Sequence, residues 1–244
     1  MRPRRAEPQP ASAVIHRGRI SVSYERATLP RDQASAFAAL AARGVRAIEL
    51  LAGLRAHTRL RFELRGATRI STARGRTILL SPYRVASRTA PYLHEIAHVL
   101  LPCPHAPPWF SEGLAAYLES LVAEQGAGYD SHLFTPDGNR GVDLDAARWL
   151  ADPRGRKILP FIGTRGLPRG IAADRHNVAA PFYVLAHSLV KFLADQVGLP
   201  PLIRVSRARD FSLKLRRATR LSAPALRARW LESLRTARAR VEIL

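Results

Sequence analysis

Within the stretch YLHEIAHVLL, residues 92–101, His94 and His98 stand four residues apart, with Glu95 beside the first. On an α-helix, residues four apart lie one turn apart on the same face, so both imidazoles can address one ion. Imidazole is a borderline ligand that suits zinc, and a catalytic zinc is held by three protein groups with its fourth position open to water. Glu95 is placed to reach such a water without ligating. The spacing therefore points to metal-assisted hydrolysis and demands a third ligand. Glu112 answers that demand: it falls in the first turn expected for the next helix, and the short linker 102–108 would bring that helix back against the first. Gly113, the next residue, permits helix backbones to approach closely.

Elements must hold these groups in place. Thr89 and Pro91 are helix-start signals and Pro102 a stop, so residues 89–102 contain a buried helix of about three turns. APPWFSEGLAAYLESLVAE, residues 106–124, forms the next helix, with Phe110, Leu114, Tyr117, Leu118 and Leu121 along one face. Upstream, RISVSYE (19–25) and RLRFELR (59–65) alternate apolar and polar residues as strands do, TRIST (68–72) can pair with the latter, and RTILLSP (76–82) is a further extended stretch. Residues 30–54 between them have helical spacing, with Gly44 weakening the middle. Residues 125–180 are rich in Gly, Pro and Asp and read as largely irregular, with an amphipathic patch at 143–151. An apolar helix follows at 179–198, closed by Gly198, and the remainder reads as two or more basic amphipathic helices. The organisation is a disordered basic arm (1–13), an N-terminal α/β sheet subdomain (14–88), the paired helices of the metal site (89–125) and a mostly helical C-terminal subdomain (126–244), together one domain.

The chain carries a net charge of +20 over 244 residues, and 36 of its 39 basic residues are arginine. The charge is uneven. Residues 89–152 hold nine acids against two arginines, a net of −7, so the rest of the chain carries +27, thickest at 204–240. Such a surface admits nucleic acid or an anionic surface as partner. No nucleic-acid motif accompanies it, and a compositional arginine bias is the favoured account. The single cysteine, Cys103, excludes an internal disulfide framework and a Cys-rich zinc site. No apolar run approaches the roughly 20 residues of a membrane-spanning helix. The N-terminus lacks the apolar core of a signal peptide, which favours the cytoplasm.

HEIAH followed by PPWFSEGLAAYLE closely resembles the gluzincin metallopeptidases, specifically the peptidase MA-like group, marked by HExxH and then a Trp-x-x-Glu-Gly-Leu-Ala helix. FYVLAHSLVKFLADQVG and RRATRLSAPALRARWLESL are similar to that group's downstream helix and closing segment, so the likeness runs along nearly the whole chain. It implies an α+β, zincin-like fold of thermolysin or gluzincin type, in which the N-terminal β-sheet backs the HExxH helix and a helical C-terminal subdomain forms the other wall of a cleft. It further implies that His94, His98 and Glu112 bind one zinc ion per chain, that Glu95 is the general base, and that Tyr183 stabilises the oxyanion. His187 and His176 stay open for that last task, which thermolysin-like enzymes give to a histidine. The metzincin alternative fails: it needs glycine and histidine three and six residues after the second histidine, where this chain has Leu101 and Pro104. The implied activity is zinc-dependent hydrolysis of peptide or protein substrates, with 76–82 as the edge strand along which substrate lies. Aminopeptidase gluzincins carry an upstream Gly-x-Met-Glu-Asn segment, and Met1 is the only methionine here, so an endopeptidase is expected. The alternative is a catalytically silent zincin-fold protein that binds nucleic acid or an anionic surface through its arginine-rich face.

Overall fold

The computed structural model describes residues 12–54, 58–66, 70–126, 137–169 and 178–241, with side chains as far as 237. Alternation in the N-terminal third produces a five-stranded mixed sheet of β1 (Ser12–Arg17), β2 (Ile20–Glu25), β3 (Leu60–Leu64), β4 (Thr72–Arg74) and β5 (Thr77–Leu80), in the order β1-β2-β3-β5-β4. The inner pairs β2/β3 and β3/β5 are parallel, and the outer pairs β1/β2 and β4/β5 are antiparallel hairpins. Ile20, Val22, Tyr24, Leu60, Phe62, Leu64, Ile78 and Leu80 are all buried on one face. Period-2 patterning selects that face.

Helix α1 (Arg31–Leu51) covers this face beside β1 and β2, and α3 (Tyr92–Leu100) lies against β4 and β5, so the sheet backs the helix that carries both histidines. Phe37 ties the layers together: its ring meets Phe62 of β3 at 5.3 Å and Tyr92 of α3 at 5.6 Å, both edge to face. Each such aromatic pair contributes about 0.5–1.5 kcal/mol beyond the area it buries. Gly44 has a packing role. A Cβ there would stand 2.5 Å from Leu93 and 3.2 Å from Tyr92, so the missing side chain is what lets α1 and α3 touch.

The helices that follow are α2 (Pro82–Ala86), α3, α4 (Pro108–Glu124), α5 (Gly138–Ala151), α6 (Pro153–Ile158) with a 3-10 turn at Leu159–Phe161, α7 (Ala179–Val197), α8 (Leu199–Ser206), α9 (Phe211–Thr219) and α10 (Ala223–Val241). Helix α7 is buried nearly all round and packs along α4, while α5 and α10 close over it. Trp230 of α10 is fully buried; its Nε1 donates to Ser188 Oγ at 3.0 Å, and Ser188 donates on to Asp143 at 2.8 Å. Among the described residues no helix is long and apolar enough to cross a membrane.

Three expectations are corrected. Strand β1 starts at Ser12, inside the segment assigned to a basic arm, because Gly18 at φ +59° turns the chain back and registers 12–17 against β2; residues 1–11 lie outside the described set. The stretch 76–82 is not an edge: β5 lies between β3 and β4, and the edge on that side is β4, which pairs with β5 and not with β3. Much of 125–180 is helical, since Val142, Ala146, Ala147 and Ile158 bury against α7 and its neighbours, contacts that local Gly and Pro content does not reveal. The segments 127–136 and 170–177 lie outside the described residues.

Candidate metal centre

The two histidines sit on a helix that is buried on almost every side, so their orientation is set by packing. Tyr92, Leu93, Ile96, Ala97 and Leu100 are all buried around them. The chain leaves α3 at Leu101, runs through 102–107, and re-enters a helix at Pro108, whose missing N–H costs nothing at the first helical position. Glu112 is the fifth residue of α4, so it lies in the second turn, one turn later than the sequence suggested. There it meets both histidines.

His94 Nε2 lies 3.0 Å from Glu112 Oε2, His98 Nε2 lies 3.3 Å from the same oxygen, and the two Nε2 atoms are 3.1 Å apart. These three side chains form a group that could hold a metal ion, with all their ligand atoms within 4.8 Å of one another. An imidazole Nε2 either donates or accepts, never both, so at most two edges of this triangle can carry a proton. A cation at its centre satisfies all three atoms together. Tetrahedral coordination at roughly 2.0–2.1 Å separates neighbouring donor atoms by about 3.3 Å, close to the observed edges. The donor set therefore fits a metal such as zinc.

Each imidazole also has a polar neighbour behind it. His94 Nδ1 faces Glu119 Oε2 at 3.7 Å, and His98 Nδ1 faces Ser111 Oγ at 3.5 Å. Glu119 is buried, two turns beyond Glu112 on the same face of α4, and that seven-residue spacing is the sequence signal that could have singled it out. Arg84 of α2 lies within electrostatic reach of Glu119 and Glu95 and donates to the Thr89 carbonyl at 2.8 Å. Neither Glu119 nor Arg84 was picked out from sequence.

Charge is concentrated here. Burial works to lower the His94 pKa, but the hydrogen bond and charge of Glu112, with Glu119 and Glu95 nearby, carry it up to about 9. Burial works to raise the Glu112 carboxyl, but hydrogen bonds from His94 and His98 outweigh it and hold Glu112 far below the usual carboxylate range. Glu95 is displaced upward, chiefly by burial, against the opposing pull of both histidines. The Ala73 backbone N–H of edge strand β4 donates to it. A carboxylate in that setting holds a proton more readily than one in water.

Tyr183 reaches the site from α7. Its ring packs edge to face on His94 at 5.9 Å between centroids, and its hydroxyl hydrogen-bonds Glu112. Burial first, then the charges of Glu112 and Glu95, raise its pKa, so it remains a neutral donor. Gly113 allows this approach: a Cβ there would fall on the Ala186 carbonyl and lie 2.7 Å from Val190 Cγ2, so α4 and α7 come together beside Glu112. His187, one turn along α7, is fully buried and bonded through Nε2 to Asn139 Oδ1 at 2.7 Å, where it serves packing. His176 lies outside the described residues. Comparison with protein-family models, with curated proteins and with solved structures gives no match for this chain.

Proposed function

We propose that this protein is a zinc-dependent metallopeptidase of gluzincin type, acting as an endopeptidase. The observation that carries the reading is the convergence of His94 Nε2, His98 Nε2 and Glu112 Oε2 on one point, with Glu95 buried beside them on the same helix. Two nitrogens and one carboxylate oxygen make a donor set that favours zinc over the oxygen-seeking Mg²⁺ or Ca²⁺.

A zinc ion in this position supplies a Lewis acid that makes water ionisable near neutral pH and polarises a peptide carbonyl. The chain's own groups supply the rest. Glu95, whose buried carboxyl is poised toward protonation, takes the proton from the attacking water and hands it to the departing amine. Tyr183, a neutral phenol beside the ligand Glu112, donates to the oxygen on which negative charge develops. Strand β4 is the sheet edge nearest α3, and a substrate backbone added along it would run past Glu95. This role belongs to Thr72–Arg74 rather than to 76–82.

The test separates metal from chemistry. Purified protein should contain about one zinc per chain, and His94→Ala or Glu112→Ala should remove it. Glu95→Gln should keep the zinc and lose peptide-library cleavage by at least about 10²-fold. Equal cleavage by Glu95→Gln and wild type rejects the mechanism, and unchanged zinc in both ligand variants rejects the site.

A further inference from the structure

The face of the sheet turned away from α1 and α3 carries a row of side chains that the metal centre does not use. Strand registers align His16 with Ser21, Ser21 with Arg61, Arg61 with Thr77, and Thr77 with Arg74. Each partner pair shares a face, so these five residues form one line across all five strands, on the face opposite buried Ile20, Leu60 and Ile78. Five strands at about 4.8 Å spacing make that line roughly 19 Å long. Every member can donate a hydrogen bond, His16 through a ring N–H, and two are permanently cationic.

Beside the line the strand starts and hairpin turns bring in Arg19, Arg59 and Arg76, which with His16, Ser21, Arg61 and Thr77 line an open concavity of about 770 Å³. Arg19 is paired with Glu49 at 2.7 Å. Arg59, Arg61, Arg74 and Arg76 are exposed, and among the described residues none of them forms an ion pair. Like charges gathered around a hollow repel one another, so the arrangement lowers its energy by taking up an anion. Guanidinium groups match phosphate oxygens with paired donors.

The geometry points to a binding site for the phosphate backbone of nucleic acid on this open sheet face. A linear row of donors with flanking arginines suits a chain of regularly spaced phosphates better than one small anion. No phenylalanine, tyrosine or tryptophan lies on the row, so phosphate contacts outweigh base stacking and recognition is largely independent of sequence. The metal centre lies on the other side of the sheet, so a bound polyanion leaves the cleft open and would hold the protein near nucleic-acid-associated proteins. Such binding requires no peptidase activity.

The experiment is fluorescence anisotropy of a labelled 20-base-pair duplex of arbitrary sequence with the intact protein, titrated at several salt concentrations. Arg61→Gln/Arg74→Gln/Arg76→Gln should weaken binding by on the order of 10–100-fold at low salt, and should flatten the slope of log K against log salt by about 2–3 units. The matched control Arg216→Gln/Arg217→Gln/Arg229→Gln removes three exposed arginines from α9 and α10 and should stay within about threefold of wild type. Unchanged zinc content and far-UV circular dichroism in both variants exclude misfolding. Equal weakening in both triples overturns the site in favour of diffuse charge. Binding to vesicles containing phosphatidylglycerol through the same arginines, with no duplex binding, overturns it in favour of a membrane surface.

Discussion

Glu119 is a buried carboxylate that stands beside the site without entering it. It faces His94 Nδ1 at 3.7 Å, an electrostatic contact on the side of the ring away from His98 and Glu112. Such outer partners are typically worth 10–100-fold in metal affinity. Glu119→Gln should therefore weaken zinc binding by about that factor in a chelator competition, while the far-UV spectrum stays unchanged; an unaltered affinity would mean that α3 packing alone orients the ring. The same residues set a pH dependence. In the metal-free chain His94 is raised to about 9, so its contribution to stability is fully present below the unfolded value near 6.5 and is lost as pH rises through 9. Glu112 is depressed, so its contribution is present above the ordinary carboxylate pKa and lost in acid. A metal ion taken up here would compete with the proton held on this group. Chelator-treated protein should lose melting temperature between pH 7 and 9.5, while the gap between zinc-loaded and chelated protein widens over the same interval.

At the scale of elements, two glycines decide which helices meet. Gly44 admits α3 against α1, and Gly113 admits α7 against α4. Gly113 is the sharper test because it adjoins Glu112 and faces the stretch of α7 that follows Tyr183. Gly113→Val should cost about 1–3 kcal/mol through overpacking, lowering the melting temperature by about 2–4 °C per kcal/mol, and should weaken zinc binding as Glu112 shifts. A variant that melts lower but binds zinc as wild type does would show that α4 moves as a unit with α3. The strand pattern of 19–25 and 59–65 was legible because each strand buries alternate residues, and the helix at 106–124 was legible from its proline start and apolar spacing, although α4 buries residues nearly all round. The amphipathic patch at 143–151 marked the body of α5, whereas strand β1, the start of α5 and helix α6 were not legible, since they are set by contacts with β2, α7 and neighbouring helices, partners distant in the chain or across a turn.

At the scale of the molecule, the centre joins parts that are otherwise far apart in sequence: β4, α2, α3, α4 and α7 each contribute a group. A metal ion held by His94, His98 and Glu112 would tie α3 to α4. Chelation should lower the melting temperature, and zinc at about a thousandfold above its dissociation constant should restore about 4 kcal/mol. Mg²⁺ at the same concentration should restore none, because two of the three donors are imidazole nitrogens. Equal rescue by Mg²⁺ would rule out a nitrogen-bearing site. Charge is segregated at this scale too, with acids gathered between 89 and 152 and arginines on the open sheet face and the C-terminal helices.

The sequence by itself determined the mixed α+β character, the helix that presents His94 and His98 together, and the candidate third ligand Glu112, because these depend on residue type and on spacing within one helix or across one short linker. Only the tertiary structure decided that β4 and not 76–82 is the sheet edge, that Glu119 and Arg84 stand behind the site, that His187 is engaged with Asn139, and that Arg61 and Arg74 share a line across five strands. Strand order, helix approach and cross-sheet register depend on contacts between segments dozens of residues apart. Local periodicity carries no record of them.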